Sequence, residues 1–85
     1  MSYKLVYTRT AFSDVKKLDP VARKRIKKRI EEFLKDPIRT AKRLTSSSIG
    51  DYRWRIGNYR VVFDLDKNII VILRVGHRRE IYKKN

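Results

Sequence analysis

A β-hairpin is encoded at residues 52–63, which read YRWRIGNYRVVF. Aromatic and aliphatic residues alternate there with arginines, which is the period-two pattern of a strand with two unlike faces. The dipeptide Gly57-Asn58 tolerates the positive φ that a two-residue hairpin loop requires. The predicted register pairs Ile56 with Tyr59, Arg55 with Arg60, Trp54 with Val61 and Tyr52 with Phe63.

One face of this predicted hairpin is basic, because the register brings Arg53, Arg55 and Arg60 to the same side. Like charges directly across a ladder destabilise it, so three guanidinium groups on one face indicate an anion bound among them. The planar guanidinium fork suits phosphate, which it can engage through two parallel donors. Surface strands also carry basic residues for solubility, and that alternative stays open.

The whole chain is strongly basic, with 23 Lys and Arg against 9 Asp and Glu and a formal net charge of +14. This charge exceeds what solubility requires and favours a polyanionic partner. Nucleic acid is the first candidate, an acidic protein the second and an anionic membrane the third. Short apolar runs argue against the membrane. A length of 85 residues predicts one domain, residues 1–85, with a modest core.

The chain has no cysteine and a single histidine. This composition provides no disulfide framework, no thiolate chemistry and no ordinary zinc site. Residues 3–7 form an apolar run that is too short for a signal peptide and is interrupted by Lys4. We therefore expect a cytoplasmic protein that needs neither a metal nor a cofactor.

The N-terminal half predicts one strand and two helices. Tyr3–Tyr7 alternates as a first strand, and Thr8 or Thr10 can cap a short helix after it. Asp19-Pro20 is a helix start signal, with the cap residue followed by proline at the first helical position. The second helix is expected to continue to about Lys35.

The C-terminal half predicts a linker and then a meander of strands. Residues 38–50 are expected to form the linker, with Leu44 as its anchor. Ile69–Val75 follows the turn at residues 66–68 as the third strand of an antiparallel meander, although its register is not fixed by the loop. The predicted fold is α+β, with two helices packed on one face of a four-stranded sheet and a basic concavity on the other.

Residues 75–82, VGHRREIY, add titratable groups to that basic face. Gly76 is expected to allow a sharp departure from the last strand. RNA cleavage by internal transfer needs a base for the 2′-hydroxyl, positive charge around the phosphorane and an acid for the leaving oxygen. His77 and Tyr82 are the titratable candidates; His77 suits because histidine titrates near neutral pH, while Tyr82 could act as a neutral acid.

Residues 52–63 followed by residues 75–82 resemble the RelE branch of the RelE/ParE superfamily of type II toxins. The resemblance covers nearly the whole chain. It implies a metal-independent endoribonuclease that cuts mRNA in the ribosomal A site, leaving a 2′,3′-cyclic phosphate and a 5′-hydroxyl. It also implies an acidic, RelB-like antitoxin that neutralises the toxin and through which alone the toxin reaches operator DNA.

The resemblance assigns roles to individual residues. Arg60 matches the arginine that stabilises the scissile phosphate, Arg78 the arginine after the last strand, and Tyr82 the tyrosine that stacks on or activates the substrate nucleotide. Some RelE members carry lysines at the positions of Arg53 and Arg55, and a lysine there can be proposed as the base. Arginine makes that role implausible here, which leaves the base as His77 or Tyr82. The expected RNA-binding residues are Arg53, Arg55, Arg79 and Lys83.

Two alternatives share the expected fold. ParE relatives poison DNA gyrase and generally lack a complete catalytic set, and a basic module of this fold could also bind nucleic acid without cutting it. The combination of Arg60, Arg78 and Tyr82 favours the nuclease.

Overall fold

The chain folds as an α+β protein, and the computed structural model describes residues 2–45 and 49–81. In those residues the elements are β1 (Lys4–Tyr7), α1 (Arg9–Lys17), α2 (Pro20–Phe33), β2 (Lys42–Arg43), β3 (Tyr52–Ile56), β4 (Tyr59–Asp66), β5 (Ile69–His77) and α3 (Arg78–Ile81). No helix within these residues is long and apolar enough to cross a membrane.

The sheet has five strands in the order β1-β5-β4-β3-β2, with β1 parallel to β5 and the other pairs antiparallel. The prediction of four strands was therefore one strand short. The fifth, β2, lies in the expected linker, where Lys42 pairs with Arg53 and the Leu44 amide donates to the Asp51 carbonyl at 2.7 Å. A third helix, α3, was also not expected.

The hairpin register predicted from the Gly57-Asn58 loop is confirmed in all four pairs. Gly57 has a φ of +58°, a conformation that glycine adopts without the steric cost that a Cβ atom brings. This turn sets the side-chain faces of β3 and β4.

Both helices begin as the sequence predicts. The Thr8 hydroxyl accepts a hydrogen bond from the Ala11 amide at 3.1 Å, so Thr8 is the cap of α1. The Asp19 carboxylate accepts from the Ala22 amide at 2.9 Å and caps α2. The second helix ends at Phe33, two residues before the predicted end, and a series of turns leads to Pro37.

Helix α2 packs on the sheet through aromatic rings. Trp54 is fully buried, with its ring centroid 5.3 Å from that of Phe33 and 4.1 Å from that of Phe63. Its indole Nε1 donates to the Pro37 carbonyl at 3.2 Å, so the buried indole has the partner that its polar atom needs. This cluster fixes one face of the hairpin against the helices and leaves the arginines on the other.

Candidate functional site

The three hairpin arginines share a face but differ in exposure. Arg55 lies directly opposite Arg60, and Arg53 lies two residues before Arg55 on the same strand. Arg55 is exposed and Arg53 is partly buried, whereas Arg60 is only 5% exposed. The expected basic concavity is therefore corrected in part, because one of its three arginines lies within the protein.

Arg60 is held against the hairpin turn by backbone carbonyl groups. Its Nη1 donates to the Gly57 carbonyl at 2.8 Å and to the Tyr59 carbonyl at 2.9 Å. These bonds orient the guanidinium group, and they also tie a charged side chain to the turn that sets the hairpin register.

Two further segments reach the same turn. The Arg78 amide at the start of α3 donates to the Asn58 carbonyl at 2.9 Å. Arg25 of α2 lies over Gly57, since a Cβ atom built on this glycine would be 3.1 Å from Arg25 Nη2. The guanidinium groups of Arg25 and Arg60 and the backbone of Arg78 thus meet at the turn.

Sequence reasoning did not single out Arg25, which lies among several basic residues on the outer face of α2. No local signal separates it from its neighbours Lys24 and Lys28. Arg25 comes close to Gly57 only through the tertiary fold. The sequence feature related to this contact is the lack of a side chain at Gly57.

Part of this face, away from the hairpin turn, is covered by the chain that precedes β3. Further along β4, Asp64 accepts a hydrogen bond from the Asp51 amide at 2.8 Å. Gly50 packs so closely there that an added Cβ atom would lie 2.6 Å from Leu73 and 2.8 Å from Val62. Residues 50 and 51 therefore cover this part of the sheet.

The end of β5 is fixed by Asp14 of α1, a residue that the sequence did not indicate. Its carboxylate accepts from Arg74 Nε at 2.8 Å, from Arg74 Nη2 at 3.3 Å and from the Val75 amide at 3.0 Å. The hydrogen bond to Asp14 raises the pKa of Arg74 above its ordinary value. Strand β1 pairs with β5 only as far as Ile72, so Asp14 takes over this strand edge where β1 ends.

His77 is not brought together with the Arg60 side chain. It pairs with Tyr59, and the two rings meet edge-on with centroids 6.0 Å apart. Tyr59 packs against the core beneath the helices, whereas Arg60 points to the opposite face. The His77 Nδ1 atom accepts a hydrogen bond from the Arg79 amide at 3.3 Å.

Gly76 does not make the sharp turn that the sequence suggested, because β5 continues through His77. Its lack of a side chain makes room for Ile81 of α3, whose Cδ1 would lie 3.1 Å from an added Cβ atom. Arg78 and Arg79 are exposed on α3. Tyr82 and Lys83 lie outside the described residues.

An apolar groove of about 460 Å³ lies on the other side of the molecule, between β1 and the two long helices. Its lining is mostly apolar, with side chains such as Val15 and Ile30, and also includes the charged residues Arg23, Lys27 and Glu31. Among the residues that the structure describes, no group of acidic, histidine or cysteine side chains is arranged to hold a metal ion.

The fold and the basic hairpin together are typical of a class of small bacterial and archaeal toxins. Comparison with known proteins supports the assignment of this chain to that class. Residues 5–82 match the family model described as the ParE toxin of the type II toxin–antitoxin system parDE. The chain belongs to the RelE/ParE superfamily of type II toxins. The resemblance drawn from the sequence is thus confirmed.

Individual relatives carry RelE-type names. The chain is 35% identical to Toxin RelG of Mycobacterium tuberculosis, over 99% of this chain and all of that protein. It is 34% identical to Toxin RelE3 of Methanocaldococcus jannaschii, over 93% of this chain and 94% of that protein. The toxin–antitoxin complex RelBE2 of M. tuberculosis contains a chain that superposes with a TM-score of 0.82 at 31% identity, covering 92% of this chain and 100% of that one.

Proposed function

We propose that this toxin is an endoribonuclease that cleaves mRNA on the ribosome, in the cytoplasm. The observation that carries the proposal is the position of two guanidinium groups, those of Arg25 and Arg60, at the Gly57–Asn58 turn, to which the backbone of Arg78 is also bonded. Attack of a 2′-hydroxyl on the adjacent phosphate builds negative charge on the phosphorane, and fixed cationic donors are the groups that stabilise it.

Each arginine has a distinct part in this proposal. Arg60 would stabilise the scissile phosphate, since its guanidinium group is already oriented by two carbonyls. Arg25 and Arg55 are exposed, and their side chains make no hydrogen bond or ion pair within residues 2–45 and 49–81. They are therefore available to bind neighbouring phosphates of the RNA. Arg78 adds charge from α3, and Arg53, Arg79 and Lys83 extend the RNA-binding surface.

Proton transfer requires a group other than arginine, which stays protonated. The His77 ring lies on the helix side of the sheet, next to Tyr59, and so is poorly placed to act beside Arg60. In our proposal Tyr82 stacks on the substrate nucleotide or transfers a proton, the role that the RelE resemblance gives it. No metal or cofactor takes part.

The test is primer extension on a translated message with purified toxin, with and without ribosomes. Arg55→Ala is compared with Arg39→Ala, which removes the same charge from an exposed position in the turns that follow α2. We expect cuts within codons that require ribosomes, and a loss of at least tenfold for Arg55→Ala but less than twofold for Arg39→Ala, as for a charged contact worth about 1.5–3 kcal/mol. Equal effects of the two variants would count against a site at the turn.

Tyr82 is tested in the same assay by Tyr82→Phe and Tyr82→Ala. Phenylalanine keeps a ring for stacking but has no proton to transfer. Loss of cleavage in both variants supports proton transfer, and loss in the alanine variant alone supports stacking. Parental rates in both would remove Tyr82 from the proposal.

The match to the ParE family model favours a second candidate, a toxin that poisons DNA gyrase. The same arginines would then form a protein-binding surface. A parent toxin that inhibits gyrase supercoiling and leaves ribosome-bound mRNA intact would establish this candidate instead. Binding to RNA without cleavage or gyrase inhibition would indicate a nucleic-acid-binding module.

We also propose an acidic, RelB-like antitoxin as the partner, supported by the RelBE2 complex of the similar mycobacterial protein. The apolar groove between β1 and the helices, where two cations outnumber one carboxylate, suits an amphipathic acidic segment. Lys27→Glu should weaken binding of the cognate antitoxin, while Lys24→Glu, at a residue outside the groove lining, should have a smaller effect. Equal weakening would indicate attraction by overall charge and would argue against docking in the groove. Operator DNA would be bound only through the antitoxin.

A further inference from the structure

We infer that His77 is a positioning residue whose Nδ1 atom caps α3, rather than the base of the reaction. This inference deepens the proposed ribonuclease function and rests on it. The helix concerned carries Arg78 and Arg79, so its placement decides where these two cations meet the RNA.

The first amides of a helix have no partner within the helix and need acceptors from outside. In α3 the first amide, from Arg78, donates to the Asn58 carbonyl at 2.9 Å. The second, from Arg79, donates to His77 Nδ1 at 3.3 Å. An N-cap side chain accepts from the second or third residue of its helix, and His77 immediately precedes the first residue of α3. His77 therefore occupies the N-cap position and makes the N-cap contact.

The imidazole ring is held in place for this contact. It lies edge-on against the Tyr59 ring at 6.0 Å, while Ile81 is buried over Gly76 and anchors the other end of α3. In a neutral imidazole one nitrogen accepts and the other carries the proton. Because Nδ1 accepts from the Arg79 amide, Nε2 carries the proton, and neither nitrogen has a free lone pair with which to take a proton from a 2′-hydroxyl.

The test compares His77→Asn with His77→Ala. Asparagine is a favoured N-cap whose amide oxygen can accept the Arg79 hydrogen bond, whereas alanine offers no acceptor. Loss of a cap changes the local equilibrium by about fivefold, while loss of a general base costs about 100-fold to 10,000-fold in rate. The two roles therefore predict effects of different size as well as opposite outcomes for asparagine.

Three readouts are made on the same full-length proteins. Amide hydrogen exchange by NMR should be about fivefold faster at Arg79 in His77→Ala and near the parental rate in His77→Asn, with the buried Val62 amide as the control for global unfolding. Nitrogen chemical shifts of the parent imidazole should show the proton on Nε2. Ribosome-dependent cleavage should fall by no more than about tenfold in His77→Ala and should recover in His77→Asn.

The results separate this inference from the proposed function. An unchanged exchange rate of the Arg79 amide in His77→Ala would overturn the inference that His77 caps α3. A loss of cleavage of about 100-fold or more in both variants, the result expected of a base, would also overturn this inference. If the parent toxin cleaves no RNA, the ribonuclease proposal fails. In that case the exchange rates and the tautomer still decide whether His77 caps α3.

Discussion

Replacing Asp14 by alanine should destabilise the toxin more than any other single loss of surface charge. The carboxylate is 10% exposed and accepts three hydrogen bonds, two from Arg74 and one from the Val75 amide. An amide at a strand edge that loses its acceptor costs about 1–3 kcal/mol. The ion pair adds about 1 kcal/mol or less, because the Arg74 side chain is 35% exposed and solvent screens it.

The sum, about 1–4 kcal/mol, predicts a fall in melting temperature of roughly 4–30 °C for a domain of this size. A sharper expectation is the order of the variants by their loss of stability. Arg74→Ala leaves Asp14 bonded to the Val75 amide and should cost only about 1 kcal/mol. Asp14→Asn keeps an acceptor for that amide and should fall between the two.

Urea denaturation of the parent and the three variants measures these differences as shifts in midpoint at constant slope. A double variant, Asp14→Ala with Arg74→Ala, isolates the pair interaction from the amide contact. The reasoning would be refuted if Asp14→Ala stayed within about 0.5 kcal/mol of the parent, or if Arg74→Ala cost as much as Asp14→Ala.

Three further predictions concern the turn, the core and β1. Gly57→Ala should lower the free energy of unfolding by about 1–2 kcal/mol for the positive φ, and by more because the new Cβ atom displaces Arg25. Urea titrations should therefore show a smaller loss of stability when Arg25 is already alanine. Equal losses in the two backgrounds would mean that the two residues do not touch. Trp54→Phe should lower the free energy of unfolding by about 1–3 kcal/mol, because the Pro37 carbonyl loses its indole donor and keeps only the 3.3 Å bond from the Thr40 hydroxyl; a loss below about 0.5 kcal/mol would contradict the indole bond. Burial raises the pKa of Tyr7 above its ordinary 10.0; the unfolded chain therefore releases this proton first, and stability falls as the pH rises past 10. Tyr7→Phe should lessen this fall in alkaline denaturation curves, and an unchanged slope would refute the assignment.

Local signals were sufficient for much of the fold. A two-residue loop links the register of β3 to that of β4 directly, so the pairing of Arg55 with Arg60 followed from Gly57-Asn58 alone. Helix caps are equally local: Asp19 was identified as one, and Thr8 was one of two candidates with Thr10. The short strand β2 was missed because two residues carry no periodicity of their own and become a strand only by pairing with β3.

The candidate site depended on contacts that no local signal encodes. Arg25 and Asp14 lie on helix faces with other charged residues. Only the packing of α2 on the hairpin turn brings Arg25 to Gly57, and only the packing of α1 on β5 brings Asp14 to Arg74. The burial of Arg60 depends likewise on carbonyls at the turn end. Residue types predicted a basic surface, but the tertiary fold decided which cations reach the turn.

His77 shows how one residue of register can decide a role. Counted from the turn at residues 67–68, where Asp66 pairs with Ile69, a regular ladder would continue until Arg60 faced Val75. His77, two residues beyond Val75, would then share the face of Arg60, as the sequence-based hypothesis of a histidine base requires.

The structure has a β-bulge instead. Phe63 pairs with Ile72 but Val62 pairs with Arg74, so Leu73 is the extra residue of β5. A slip of one residue moves every later side chain to the other face. Beyond the bulge Arg60 faces Gly76, and His77 faces Tyr59. The bulge therefore directs the imidazole away from the arginine face and towards the start of α3, where its Nδ1 atom has an amide to accept from. In a regular sheet His77 would lie on the arginine face as a candidate base; in this sheet it lies on the other face, and its Nδ1 atom accepts from the Arg79 amide.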